Sequence, residues 1–342
     1  MQKVILLKTE KEKWEKDLKS YQHSIFLSSS WIESIAASEQ ESLYIDFILN
    51  NDVVAKISGL ILSKSSGKQL YFYASPALKN FDQEIFNSCF DALHDFAEKN
   101  KYTRIIVGSY DNDHSQQYTG KNYFLTERVE FVVPLHENIE LLNITKRFKR
   151  NVKKAQKLKP ELRSSVSSDD FNTLMNLLSS TKKIRLKKYR EDYDPFYLPE
   201  MTENSLKKLL SLGLARMHYT FVQDSIDCME FNLETENGVY MLLKGTSEFG
   251  YKNGLPSFLS YNLINNYGKK GIRYYNQGGR ISTDPEDGLT VYKKSMGAEE
   301  IPVYGATTNF LTYPYKLLNP LLNLGRKFPQ DNPIVIFLKK FI

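Results

Sequence analysis

The amino-acid sequence predicts an α+β protein with a mixed sheet, built as two similar lobes in one chain. Apolar patterning gives the element order β-β-β-α-β in the first half, and the same order and spacing recur in the second half. The length of 342 residues exceeds what one hydrophobic core usually organises, so two domains, or one domain with a large insertion, are expected. A chance recurrence of this order in a mixed protein is the alternative.

The first lobe is predicted from strand and helix patterns that are separated by turn residues. The pair Asn50-Asn51 followed by Asp52 is typical of a β-hairpin turn. Ser30 is expected to cap a helix that begins beside it. The predicted elements are helices over 11–21 and 30–37, two strands within 43–62, a strand over 68–74, a helix over 81–100 and a strand over 103–110.

The second lobe shows the same patterns, with turns expected at Gln223-Asp224 and at 236–238. Gly213 is expected to close a helix, and Ser168 to cap another. The charged and aromatic stretch 182–200 has the composition of an irregular loop facing a ligand or a domain junction. The predicted elements are helices over 169–180 and 203–212, three strands within 214–245, a helix over 255–270 and a strand over 271–279.

A strongly basic helix is predicted between the halves. The apolar residues of one helix face are Ile144, Phe148, Val152 and Ala155, and Pro160 is expected to end the helix. Acids are almost absent from 141–160, so the i,i+4 ion pairs of an ordinary surface helix are missing. The cations therefore suggest contact with phosphate, although a solvated helix face is the ordinary alternative. The cations are Lys146, Arg147, Lys149, Arg150, Lys153, Lys154 and Lys157.

Composition excludes several classes of protein and site. The net charge of +6 is mild, so only a local cluster would attract a polyanion. Neither a secretory leader nor a membrane-spanning segment is expected, which makes a cytoplasmic protein the default. The two cysteines and five histidines lack the spacing of metal ligands, and no metal is expected. The phosphate-binding and dinucleotide-binding glycine motifs are absent, as is the nucleophile elbow of hydrolases.

One stretch contains too many special residues for a simple turn. The sequence GIRYYNQGGR is followed by DGLTVYKKSMGAE, which places Gly278-Gly279 at a strand end and Lys293 on a predicted helix. Glycines let a backbone approach a ligand closely, and the helix start is marked by Asp284, Glu286 and Asp287. We therefore expect Lys293 to direct its ammonium at a carbonyl oxygen or phosphate. A surface lysine is the alternative.

The basic helix, the β-β-β-α-β unit and this glycine motif together resemble the FemAB-like (BioF2-like) acyltransferase branch of the GNAT (Gcn5-related N-acetyltransferase) superfamily, over roughly residues 30–310. The resemblance implies two tandem GNAT-like lobes in one chain. In that branch the strand ends in aromatic-Asp-aromatic-Gly-Gly, then Gly-Leu, then Phe-Lys-Lys/Arg-x-Phe-Gly. Here Asn276 and Gln277 stand in place of the acid and the second aromatic residue. This departure leaves the carboxylate role at that point open.

The resemblance implies lobes over 1–137 (degenerate) and 138–311 (with the active site), followed by a tail over 312–342. The tail is expected to pack across the domains, or to lie on a membrane surface as a peripheral contact. The stretch 240–259 fits the place where GNAT strands separate, and helix-start amides there are expected to bind pyrophosphate. The usual coenzyme A loop is absent, and residues 250–254 stand in its place.

The expected catalytic residues are Glu230, Tyr275 and Lys293. Glu230 is assigned as general base, since burial raises the pKa of a glutamate toward neutrality; a solvent-facing strand residue is the alternative. Tyr275 and Tyr240 are candidates for the acid that reprotonates the leaving group. Residues expected to bind substrate or phosphate are Lys146, Arg147, Arg150, Asn151, Tyr240, Lys244, Gln277, Gly278 and Gly279.

The leading hypothesis is an N-acyltransferase that moves an acyl group onto an amine by direct attack. The resemblance implies acetyl-CoA or another acyl-CoA as donor, with aminoacyl-tRNA as the alternative. The acceptor is expected to be a small molecule, a nucleotide-sugar, or a lipid-linked precursor of the cell envelope. The competing hypothesis is a non-catalytic GNAT-like binding protein that uses the basic helix to hold RNA or an anionic surface.

Overall fold

The structure is a computed structural model that describes residues 3–36, 40–112, 116–189, 194–280, 284, 286–326 and 328. Parts of four predicted features lie outside these residues: the end of the second helix at Ala37, positions 190–193 of the predicted loop, positions 281–283 and 285 of the glycine motif, and positions 327 and 329–342 of the tail. The predicted mixed α and β composition is confirmed.

The strands follow the apolar patterns closely, and those that the sequence analysis missed are β1, β5, β7, β8 and β13. In chain order the strands are β1 (Ile5–Lys8), β2 (Glu41–Leu49), β3 (Asp52–Lys64), β4 (Gly67–Phe72), β5 (Ala77–Leu78), β6 (Arg104–Val107), β7 (Phe124–Pro134), β8 (Glu161–Ser165), β9 (Ala215–Val222), β10 (Ser225–Glu234), β11 (Gly238–Thr246), β12 (Tyr274–Gly279) and β13 (Glu299–Thr307).

Several helices begin at residues whose side chains accept hydrogen bonds from the first turn, as in α3 at Asp82 and α4 at Thr145. In chain order they are α1 (Lys11–Leu18), α2 (Ser29–Ile35), α3 (Gln83–Lys99), α4 (Lys146–Gln156), α5 (Ser168–Tyr189), α6 (Glu203–Ser211), α7 (Glu248–Asn253), α8 (Leu255–Lys269), α9 (Gly288–Ser295) and α10 (Asn319–Gly325), with a 3-10 turn at Tyr315–Leu318 before α10.

The chain divides into two units. Unit 1 contains the described residues up to Arg128 and those from Val303 onward, and unit 2 is Val129–Pro302. The lobe boundaries suggested by the resemblance, at 137/138 and 311/312, stay a prediction.

The sheet of unit 1 has the order β1-β2-β3-β4-β6-β13, with β5 paired to β3. The hairpin between β2 and β3 turns at Asn50 and Asn51, which have φ of +54° and +69°. Asparagine tolerates this left-handed region, which a tight hairpin turn requires. The β4 strand pairs in parallel with β6 after the crossover through α3.

The sheet of unit 2 has the order β7-β12-β11-β10-β9-β8. The strands β9, β10 and β11 form antiparallel hairpins, and β11 pairs in parallel with β12 after the crossover through α8. Unit 1 has the same connectivity in β2, β3, β4, α3 and β6. The repeat predicted from element order is therefore also a repeat of strand pairing.

The core of unit 2 holds α4 and α8 against one face of its sheet. Phe148 and Val152 of α4 are buried with Leu259 and Leu263 of α8, and with Tyr275 of β12. The apolar face predicted for the basic helix is thus its buried face. On α5 the contact is different: a Cβ on Gly245 of β11 would lie 2.7 Å from Leu177 Cβ, so α5 packs directly against the β11 backbone.

Four local predictions were wrong. The first part of the predicted loop, 182–189, continues α5 to Tyr189, because these eight residues include strong helix formers and no glycine or proline. Thr181 also ties this part of the helix to β11, accepting from Thr246 N at 2.8 Å. Ser28, not Ser30, caps α2 by accepting from Trp31 N. At α5, Ser167 Oγ accepts from Asp170 N at 3.2 Å, and Ser168, the expected cap, is the first residue of the helix. The basic helix ends at Gln156, before Pro160.

Candidate active site

The strands β11 and β12 separate soon after they meet. Their parallel pairing covers Gly238–Tyr240 against Tyr274–Asn276, although β11 continues to Thr246 and β12 to Gly279. On the other side of β12, the register against β7 is interrupted between Asn276 and Gly279. Most of the residues expected from sequence to form the site lie around this point of separation.

A buried ion pair lies on the α8 side of the sheet. Glu230 and Lys244 are directly paired positions of β10 and β11, and Lys244 Nζ lies 2.8 Å from Glu230 Oε1. Ser260 of α8 donates to the same carboxylate oxygen at 2.8 Å. Tyr275 donates to Oε2 at 2.6 Å. The Lys244 ammonium also contacts Ser260 Oγ at 2.8 Å and Tyr292 OH at 3.1 Å, so both charges are enclosed by protein groups.

The expectation that burial raises the pKa of Glu230 toward neutrality was wrong. Burial does act in that direction, but the charge of Lys244 and hydrogen bonds from Lys244, Tyr275 and Ser260 outweigh it. The pKa of Glu230 therefore lies below its ordinary value. Burial lowers the pKa of Lys244, and the Glu230 carboxylate more than offsets this, so its pKa is raised. The pair is charged, and its first role is structural.

Tyr275 is part of the same cluster and is fully buried. Burial, and then the adjacent Glu230 charge, raise the pKa of its hydroxyl well above the ordinary tyrosine value. The hydroxyl proton is committed to Glu230 at 2.6 Å. The acid role suggested for Tyr275 stays a prediction, and its contacts give it a positioning role within this cluster.

Lys293 is buried, not a surface lysine. Its Nζ donates to three consecutive backbone carbonyls at the end of β12: Gln277 O at 2.6 Å, Gly278 O at 3.2 Å and Gly279 O at 2.8 Å. The ring of Phe131 lies below the same ammonium, 5.1 Å from its centroid. Three N–H groups are thus directed at the protein's own backbone. Lys293 fixes the shape of the glycine turn, and its expected contact with a substrate oxygen stays a prediction.

The other face of β12 carries a buried carboxylate that the sequence analysis missed. Glu130 of β7 accepts from Asn276 Nδ2 at 2.8 Å and from Tyr240 OH at 3.4 Å. Asn276 Oδ1 in turn accepts from Gly278 N at 2.9 Å. Asn276 therefore stands where the resemblance implies an aspartate, and Glu130 brings a carboxylate to that side chain from the neighbouring strand.

Gly278 has a left-handed backbone conformation and closely packed surroundings. Its φ is +69°, a region that side chains with a Cβ rarely adopt. A Cβ at this position would lie 3.2 Å from Tyr240 OH and 3.7 Å from Tyr197 OH. Because Tyr197 is exposed while Tyr240 is fully buried, the Glu130 cluster reaches toward solvent beside Gly278.

Gln277 contributes a hydrogen-bond donor that the described part of the chain does not satisfy. The residue is buried, and its Nε2 has no partner among the described residues. A buried donor left without an acceptor costs free energy, so such groups often mark a place where a ligand or water binds. The predicted binding role of Gln277 is supported by this observation and stays a prediction.

The cations of α4 are mostly exposed. Lys149 pairs with Glu140 at 3.1 Å, and Lys154 Nζ donates to Lys252 O of α7 at 2.5 Å. Of the residues described, none forms an ion pair with the remaining exposed cations, which are Lys146, Arg147, Arg150, Lys153 and Lys157. Asn151 is half-buried, and its backbone oxygen lies close to Gly254 at the start of α8.

The start of α8 does not fit the expected pyrophosphate site. Gly254 precedes it, and a Cβ there would lie 2.6 Å from Asn151 O, so α4 packs directly against this point. Pro256 has no N–H, and the amides of Ser257 and Phe258 both donate to Gly254 O. In α7 the amide of Gly250 is capped by Ser247 Oγ. These amides bond within the protein, which argues against a phosphate contact through them, and the expected pyrophosphate site stays a prediction.

Sequence reasoning also missed Ser260, Tyr292 and Tyr197. The one signal available for Glu130 was a single acid within the apolar run 129–133, on a strand that was not predicted. The sequence gives no such signal for Ser260, which is one serine in a predicted helix, or for Tyr292 and Tyr197, which are two of 22 tyrosines. Among the described residues no helix is long and apolar enough to cross a membrane, and no cluster of metal-ligating side chains occurs.

No protein-family model and no curated protein sequence matches the chain. Solved structures do match. FemX superimposes with a TM-score of 0.67 at 14% identity, over 93% of this chain and 99% of FemX. L-PGS from Bacillus licheniformis gives 0.58 at 14% identity, over 93% of this chain and 97% of that one.

A tandem GNAT protein from the clavulanic acid biosynthesis pathway gives a TM-score of 0.50 at 7% identity, over 91% of this chain and 99% of that one. Identities this low establish the fold and leave the reaction open. The predicted tandem lobes and the resemblance on which they rest are thereby confirmed as a fold. The chain has the two-lobe GNAT-type fold that it shares with FemX.

Proposed function

We propose that this protein is an N-acyltransferase that moves an aminoacyl or acyl group onto an amine. The observation that carries the proposal is the pair of Tyr240 and Glu130 beside the left-handed Gly278, at the point where the parallel strands β11 and β12 separate. There a buried carboxylate and a hydroxyl lie next to a left-handed glycine, with the exposed Tyr197 close by. An uncharged amine nucleophile needs such a proton acceptor.

The reaction is a direct transfer. The amine nitrogen attacks the donor's carbonyl carbon, the C–N bond forms, and the bond from that carbon to the leaving oxygen or sulfur breaks. The proton lost by nitrogen passes to Tyr240 as Tyr240 gives its own proton to Glu130, and the leaving atom takes a proton back by the same route. Gln277 Nε2 is the donor proposed for the carbonyl oxygen as it gains charge. Lys293 and Asn276 hold the turn in shape.

Two observations support aminoacyl-tRNA as the donor over acyl-CoA. The amides of Ser257 and Phe258 at the start of α8 bond to Gly254 O, and α4 lies directly against Gly254, which argues against a pyrophosphate contact there. The exposed cations of α4 lie immediately beside this blocked helix start. A row of exposed cations suits a nucleic-acid backbone, whose phosphates repeat along the strand. The acceptor class remains an amine on a small molecule, a nucleotide-sugar or a lipid-linked precursor of the envelope.

The donor is tested by binding and by transfer. Binding of total aminoacyl-tRNA is measured against salt concentration for the wild type and for Arg147→Glu/Arg150→Glu/Lys153→Glu. If these residues meet phosphates, the slope of log K against log salt becomes less steep by about 2 to 3. Lys11→Glu/Lys13→Glu/Lys16→Glu is the matched control, because it changes the net charge equally on exposed positions of α1. An equal effect of both triple variants would contradict a site on α4.

Transfer is followed by mass spectrometry with UDP-glucosamine and a lysine-containing peptide as acceptors, each offered with aminoacyl-tRNA and with acetyl-CoA. Glu130→Gln is expected to lower the rate by 10²-fold or more without unfolding the protein, since the amide keeps the shape of the carboxylate. Transfer from acetyl-CoA alone would replace the proposed donor. Transfer at the wild-type rate by Glu130→Gln would overturn the proposed role of Glu130.

One observation favours a second candidate, a binding protein without turnover. Both Glu230 and Lys293, which the sequence analysis expected to be catalytic, are engaged with the protein's own groups. The binding candidate predicts salt-dependent tRNA binding that is lost in the α4 triple variant, with no acyl product from either donor. The detection of any N-acyl product that depends on Glu130 excludes it.

A further inference from the structure

A helical segment of unit 1, Tyr315–Gly325, and the residues beside it carry an exposed row of large apolar side chains, the apolar stripe. Its members are separated by four, four, three and four positions: Leu317, Leu321 and Leu324 lie in the 3-10 turn and α10, Tyr313 comes before them and Phe328 after them. The stripe consists of Tyr313, Leu317, Leu321, Leu324 and Phe328, whose exposed fractions are 74%, 70%, 47%, 50% and 39%.

The opposite side of this segment is fastened to unit 1. Asn319 Oδ1 accepts from Phe310 N, and Asn319 Nδ2 donates to Phe310 O, both at 2.9 Å. Tyr315 OH donates to Ser65 O at 2.7 Å, and Leu322 is buried. The Arg326 guanidinium stacks 3.6 Å from the centroid of the Phe124 ring. The stripe therefore faces outward because the rest of the segment is held in place.

The charge and the residue types indicate what covers the stripe. Between positions 308 and 328 the described residues include two basic side chains, Lys316 and Arg326, and no acid. The exposed Lys316 lies within the segment, and the exposed Lys68 lies close to the turn that holds Tyr315. Cations beside a short apolar helical face are the pattern of a segment that lies in a membrane interface. Leucine is under-represented in the energetic centres of protein interfaces, which favours lipid over a protein partner.

We propose that the apolar stripe docks onto the surface of a bilayer that contains anionic phospholipid. The segment lies on the membrane and does not cross it, since the eleven residues Tyr315–Gly325 are too short to span the hydrocarbon core. The leucines enter the boundary between headgroups and acyl chains, and Lys316 stays at the level of the phosphates. This contact is independent of the acyl transfer proposed above.

The first test is co-sedimentation of the full chain with vesicles of phosphatidylcholine, with and without phosphatidylglycerol. Binding to the anionic vesicles is expected, and Leu317→Ser/Leu321→Ser is expected to weaken it at least tenfold. Ile5→Ser/Leu7→Ser is the matched control, because it removes two exposed apolar side chains of the same unit outside the stripe. No sedimentation of the wild type, or an equal loss in both double variants, would overturn the proposal.

The second test reports on the stripe directly. Trp14 and Trp31 are fully buried, so a tryptophan introduced by Leu321→Trp supplies the exposed signal. Its emission is expected to lie at the wavelength of exposed tryptophan in buffer and to shift to the blue with anionic vesicles. If the emission is already blue-shifted without vesicles and this blue shift disappears on dilution, a second copy covers the stripe. Blue-shifted emission independent of dilution would mean that the chain covers it itself, and either result contradicts lipid docking.

Discussion

Glu230 and Lys244 form an ion pair at directly opposed positions of β10 and β11, with Lys244 Nζ 2.8 Å from Glu230 Oε1. Glu230 is fully buried, and Ser260 and Tyr275 complete the hydrogen bonding of its carboxylate. A buried charge without its partner is far more costly than the intact pair. The pair therefore stabilises the strands on either side of it only while both members are present.

Replacing Glu230 by glutamine leaves the shape of the side chain but strands the Lys244 ammonium. We expect Glu230→Gln to lower the free energy of unfolding by about 3–5 kcal/mol, measured by urea titration. Glu161→Gln is the control, because Glu161 pairs with Arg163 at 2.6 Å on the surface, where such a pair contributes about 0–1 kcal/mol. Adding Lys244→Met to Glu230→Gln should recover part of the loss. A loss below 1 kcal/mol in Glu230→Gln would contradict the structural role.

The same pair predicts how stability depends on pH. The pKa of Glu230 is lowered in the folded protein, so its contribution is complete above the unfolded glutamate pKa of about 4.3 and is lost as pH falls through the folded value. The difference in unfolding free energy between wild type and Glu230→Gln should thus be constant from pH 7 to about pH 5 and shrink below that. A difference that grows on acidification would mean that the folded pKa is raised.

The sequence identified the parts of unit 2 that depend on local patterns. The hairpins β9–β10–β11, the helix α8 and the cap of α9 at Asp287 follow from alternation, periodicity and capping chemistry over a few residues. The strand β7 was missed because its first half is polar and exposed. Glu130 was missed together with this strand, because its role arises only when β7 pairs with β12.

The site residues divide in the same way. The motif directed attention to Gly278 and Lys293, and both lie at the strand end as expected. What each side chain does depends on contacts that are distant in sequence. Burial alone suggested a raised pKa for Glu230, and only its register opposite Lys244 reverses the direction. A single sequence carries no record of that register.

Lys293 is predicted to matter more than its neighbour Lys294. Lys293→Met leaves three carbonyls at the end of β12 without their shared donor, so we expect a loss of about 2–3 kcal/mol in unfolding free energy and a fall in transfer rate. Lys294→Met is the matched variant on α9, and its surface pair with Glu300 at 3.2 Å should be worth less than 1 kcal/mol. Equal stability of the two variants would contradict the role of Lys293 in fixing the turn.

Gly278 offers a test of the space beside Tyr240. Alanine at a left-handed position costs about 1–2 kcal/mol, and Gly271→Ala measures this cost alone, because Gly271 has φ of +78° and nothing within 4 Å of a built Cβ. Gly278→Ala should cost more, since its methyl would meet Tyr240 OH at 3.2 Å. It should also slow transfer, whereas Gly271→Ala should not. Combined with Tyr240→Phe, Gly278→Ala should cost less than the sum of the two single changes. Strict additivity, with equal rates for both alanine variants, would show that Gly278 and Tyr240 do not share a ligand-facing space.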